Sequence, residues 1–206
     1  MEWLKFLDTA VMVFVVYIPL LIGKSKRSEE SLFWASLISL SLSIIVFFLI
    51  KTGNVEHKEF FTFPLLIALI FGFIAYWLYR LNFSWEIKVF SPITWLVVLP
   101  IVDNLIFRRF GLYYTSKLSY LSYKLQLLFW HVRGNVILLA LLCAFIYFLI
   151  FARKDVFQAI IEGTMAFVVS IIAGHVYLFY GLFGAILAQS AFSFWRMIFV
   201  RFPQMK

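Results

Sequence analysis

Val102-Asp103-Asn104-Leu105-Ile106-Phe107-Arg108 closes an apolar tract that begins near residue 92, and Leu127-Leu128-Phe129-Trp130-His131 opens the next one. An acid, an amide, a cation and a histidine therefore stand inside or against sequence suited to hydrocarbon, where ionisable groups are costly and generally mark a site. The tracts around them explain why hydrocarbon is the expected solvent. The chain of 206 residues is 64% hydrophobic and only 14% charged, with a mean hydropathy of +0.98. A soluble domain of this length has no use for so much apolar surface. Seven tracts, at about 8–23, 32–51, 62–79, 92–107, 125–151, 158–180 and 181–200, approach or reach the length that crosses roughly 30 Å of hydrocarbon as a helix. The expected fold is all-α: a polytopic transmembrane helical bundle of about seven helices, forming a single integral membrane domain over residues 1–206. No linker or composition break divides it.

The first tract runs straight into Lys24-Ser25-Lys26-Arg27 with no small-residue cleavage site before the charges, so it is expected to stay as a helix. The formal charge of +8 is spread over short loops between tracts. Its dispersal argues for topology signals and against a nucleic-acid surface. Trp3, Trp34, Trp77, Trp85, Trp95 and Trp195 fall near tract ends, as an interfacial belt requires, while Trp130 adjoins His131 and is placed to wall a pocket. The link Gly111 to Lys124 mixes tyrosine, serine and lysine with leucine at helical spacing, which predicts an amphipathic interfacial helix. Cys143, the single cysteine, falls in mid-tract and reads as a small packing residue. His57 stands among charges in a loop and reads as solvated.

The polar residues also follow an order. Pro100-Ile101-Val102-Asp103-Asn104-Leu105-Ile106-Phe107-Arg108-Arg109 is succeeded by a basic link, then by Leu127-Leu128-Phe129-Trp130-His131, and finally by Gly174-His175-Val176-Tyr177 and Gly181-Leu182-Phe183-Gly184-Ala185-Ile186-Leu187-Ala188-Gln189, with Ser193 beyond. This order resembles the CAAX protease and bacteriocin-processing (Abi, type II CAAX protease) family of intramembrane endopeptidases over about residues 90–195. The family's first motif is Glu-Glu-x-x-x-Arg, with Phe before the Arg; Phe107 and Arg108 match, while Asp103 and Asn104 replace the glutamates and Arg109 the following glycine. Its second motif, Phe-x-x-x-His, is matched by His131, with Leu127 in place of the phenylalanine. Gln189 and Ser193 stand where the third motif has His and Asn or Asp.

The resemblance implies peptide hydrolysis within the membrane, on a membrane-tethered protein or peptide. Asp103 would be the general base, His131 would orient the water, and Gln189 and Ser193 would donate to the oxyanion. Asn104 and Arg108 would support the first motif. Such chemistry needs a base for the water proton and donors aimed at the developing charge. Asp103 is one methylene shorter than glutamate, a displacement of about 1 Å that can cost on the order of 10²-fold in rate, and Asn104 cannot ionise. A non-catalytic membrane scaffold or protective factor, binding membrane proteins or lipids, therefore stands beside the endopeptidase, with a transport pathway as a third class. On an α-helix Asp103 and Arg108, five apart, do not share a face, whereas Asn104 and Arg108 do. Asp103 would then find its partner in His131 or Arg133 of the next helix. Glu162 is expected to neutralise a helix start, and His175 to bond a neighbouring helix. With no His-Glu-x-x-His and no paired cysteines, no metal or other cofactor is expected.

Overall fold

A computed structural model describes residues 2–23, 29–49, 70, 93–118, 121, 123–127, 130–152 and 156–201. The tract at 62–79 apart from Ile70, with His57, Trp77, Trp85 and the side chain of Trp3, lies outside the described residues. What is described is overwhelmingly helical. Helix α1 spans Glu2–Gly23 and α2 spans Glu29–Leu49. From Thr94 to Thr115 the chain stays helical but changes its winding: π1 (Thr94–Val98), α3 (Leu99–Asp103), π2 (Asn104–Gly111) and α4 (Leu112–Thr115). A two-stranded hairpin of β1 (Lys124–Leu127) and β2 (Trp130–Arg133) follows, then α5 (Gly134–Ala152) and α6 (Val156–Arg201).

Periodicity explains how the helices are seated. Val13, Val16, Tyr17 and Leu20 of α1 are fully buried, the i, i+3, i+4, i+7 pattern of one helical face. The buried face of α2 is instead Ala35, Ser36, Ser39 and Ser43, small residues that let backbones approach closely. Among the described residues, helices α5 and α6 make the most extensive packing. Their antiparallel contact is close because glycine permits it: a Cβ on Gly163 would lie 3.1 Å from the carbonyl oxygen of Ala144, and one on Gly174 would lie 2.7 Å from Cγ1 of Val136.

Helix α6 is broken at Gly181, whose φ of 75° and ψ of −167° belong to a region essentially restricted to glycine. The break falls where two separate tracts were expected to meet. Helix α5 and the stretch Val156–Trp195 are both long and apolar enough to cross a membrane.

Three expectations are corrected. The apolar run from residue 125 is not helical throughout, because its first part forms the hairpin with Lys124↔Arg133, Leu125↔Val132, Gln126↔His131 and Leu127↔Trp130 in register. Apolar and polar pairs alternate along it, the period-2 signature of a strand. The link after Gly111 keeps helical form only to Thr115 and then turns at Ser116 and Lys117, with Leu118 and Leu121 buried. Trp95, assigned to the interfacial belt, is buried and stacks on Phe151 at 6.5 Å between centroids and 14° between planes. Trp34 is exposed, as a belt residue would be.

Candidate functional site

The widened turn of π2 builds the site. Pro100 has no N–H to donate to the preceding turn, and the side-chain amide of Asn104 bonds back to the Pro100 carbonyl at 2.7 Å. The ladder continues in π form, with the Leu112 N–H donating to Phe107 O, five residues back. In an i→i+5 winding, residues five apart come into line. Asp103 and Arg108, expected on different faces of an α-helix, are thereby brought together: Arg108 Nη1 donates to the Asp103 carbonyl at 3.2 Å. Its Nη2 reaches α6, donating to Ser170 Oγ at 2.8 Å and to the Ser170 carbonyl at 3.3 Å. Arg108 is 2% exposed.

Asp103 collects donors from three other helical segments. The Tyr17 hydroxyl of α1 donates to Oδ1. The Tyr147 hydroxyl of α5 donates to Oδ2 at 2.9 Å, and Gln189 Nε2 of α6 donates to the same oxygen. Gln189 is itself oriented by Asn104, whose Nδ2 donates to Gln189 Oε1 at 2.8 Å. A buried acid must be satisfied by hydrogen bonds or neighbouring charge, and this carboxyl group accepts three hydrogen bonds. Of the two partners expected from sequence, Arg133 is exposed on β2; the donors to Asp103 among the described residues are two tyrosines and a glutamine.

Asp103, Arg108, Gln189 and Ser193 line one cavity of about 40 Å³, together with Trp95, Cys143, Tyr147, Glu162 and Ser170. A straight helix would hold Glu162 and Ser193 about 46 Å apart at 1.5 Å per residue. Both border this cavity, so the two arms of α6 fold back on each other at Gly181. The volume suits about one to three waters. It is far below the roughly 300–1,000 Å³ of ordinary ligand pockets.

Of the residues singled out from sequence, Asp103, Asn104, Arg108, Gln189 and Ser193 are therefore assembled. His131 lies on β2 opposite Gln126, and its side chain, like that of Trp130, is outside the described residues. Glu162 is 3% exposed and belongs to the cavity wall rather than to a helix start. His175 is half-buried against Phe179, at 4.8 Å between ring centroids. Tyr17, Tyr147 and Ser170 were not foreseen. Among the described residues no three His, Cys, Asp or Glu side chains gather as a metal site would require.

Comparison with protein-family models, with curated proteins and with solved structures finds no match for the chain.

Proposed function

We propose that this is a multi-pass integral membrane protein of about seven helices, similar in layout to the CAAX protease and bacteriocin-processing family, whose polar centre serves as an internal clasp in a non-catalytic binder of membrane proteins or lipids. The membrane reading draws support from an inverted distribution of polarity. Val11, Val15, Ile38, Phe48, Phe145 and Phe183 are exposed, while Asp103, Asn104, Arg108 and Glu162 are buried, the arrangement that a lipid solvent favours.

One observation carries the clasp reading: both oxygens of Asp103 already accept hydrogen bonds, from Tyr17, Tyr147 and Gln189. A general base must present an oxygen to the water it deprotonates. An oxyanion donor must aim at the reacting carbonyl, whereas Gln189 is fixed by Asn104 and donates to Asp103. The cavity is also too small for a peptide segment.

The opposing reading, peptide hydrolysis, is favoured by Asp103, Gln189 and Ser193 sharing one cavity. Cleavage of a membrane-tethered reporter, measured alongside thermal denaturation in detergent, separates the two. The clasp predicts an uncut reporter with wild-type protein and a clear loss of stability in Asp103→Asn. A reporter fragment that requires Asp103, with unchanged stability in the variant, would replace the clasp with a catalytic site.

A further inference from the structure

The β1–β2 hairpin carries an electrostatic conflict. Lys124 and Arg133 are direct partners in the antiparallel register, and both are exposed. Like charges directly opposite each other destabilise a sheet. Local sequence offers no relief, because from Asn104 to Lys154 there is not one Asp or Glu. The position is held firmly all the same. Val132, beside Arg133, is buried in the core, and the Gly134 N–H donates to the Tyr123 carbonyl at 3.0 Å, tying the base of the hairpin to the head of α5. The Tyr123 ring covers Gly134 so closely that a Cβ there would lie 2.9 Å from it.

Depth along α5 then selects the counter-ion. Its 19 residues rise about 28 Å at 1.5 Å each, close to the roughly 30 Å of a hydrocarbon core. Arg133 immediately precedes the first of them, so on the membrane reading given above, which this inference rests on, the Lys124–Arg133 pair stands at headgroup level. We propose that the pair binds the phosphate of an anionic lipid, which neutralises the opposed cations and anchors the hairpin at the mouth of α5. Phosphate accepts from both side chains at once, bidentately from the guanidinium. Basic residues next to a span are the usual means of retaining anionic lipids.

Native mass spectrometry of the full-length protein in detergent, titrated with phosphatidylglycerol or with phosphatidylcholine of the same acyl chains, tests the proposal. Wild type is expected to retain phosphatidylglycerol preferentially. At about fivefold per cation, K124Q/R133Q should weaken that retention about twenty-fivefold, while R153Q/K154Q, which follow the last residue of α5 in sequence, should keep it. K124E has a further expected signature: an ion pair with Arg133 replaces the repulsion, so thermal stability is held or raised while the lipid preference disappears. Equal retention of the two lipids by wild type, unchanged preference in K124Q/R133Q, or displacement of the lipid by millimolar inorganic phosphate would each overturn the proposal. Failure of the membrane reading looks different, because the protein would then be monodisperse without detergent.

Discussion

Arg108 holds two elements with one side chain, bonding the backbone of its own helical run through Nη1 and Ser170 of α6 through Nη2. Removing the guanidinium leaves its buried acceptors, the Asp103 carbonyl and Ser170, short of a donor, at roughly 1–3 kcal/mol. Arg108→Met is therefore expected to lose about that much in denaturant titrations in mixed micelles. Arg108→Lys should recover only part of it, because an ammonium cannot span both acceptors as a planar fork does. Asn104 and Gln189 act as a unit, so a double-mutant cycle with alanine at each should give a coupling of about 0.5–3 kcal/mol; additive losses would show that they are independent. Asp103, Asn104 and Arg108 were legible from sequence because polar side chains are costly in apolar tracts and stand out against them, whereas Gln189 and Ser193 were reached only through the resemblance in motif order. Tyr17 and Tyr147 were not. Their rings satisfy the hydropathy of a span, and only their hydroxyls reveal the role.

At the level of elements, Gly181 governs how α6 folds back. Gly181→Ala forces a side chain into a positive-φ conformation and is expected to cost more than about 1 kcal/mol, read as a lower melting temperature. The α5–α6 contact makes a paired prediction. Gly174→Ala meets Val136 Cγ1 and should destabilise by about 1–3 kcal/mol through overpacking, and adding Val136→Ala should restore a substantial part of that loss by giving back the space. The break at Gly181 could be read in advance from adjacent apolar tracts flanking a glycine. The hairpin was obscured because it opens the long apolar tract at 125–151, whose length reads as a membrane-spanning helix. The π winding was hidden more deeply, since it alters which residues align without altering which are apolar. That single change joins Asp103 to Arg108, a pairing that α-helical geometry forbids.

Across the whole molecule, Cys143 offers a gauge of opening, being the only thiol and a wall of the central cavity. A membrane-permeant maleimide should label it slowly in wild type, since access requires sub-global opening. Tyr17→Phe, which frees one oxygen of Asp103 from α1, should speed labelling several-fold, and an unchanged rate would mean that α1 does not secure the cavity. Tyr17 lies 86 residues before Asp103, and Gln189 lies 86 residues after it. Translation at roughly 5–20 residues per second spends about 4–17 s between Asp103 and Gln189. When Asp103 emerges, two of its three donors, Tyr147 and Gln189, are still unmade; the acid's shell is complete only once the second arm of α6 has been delivered.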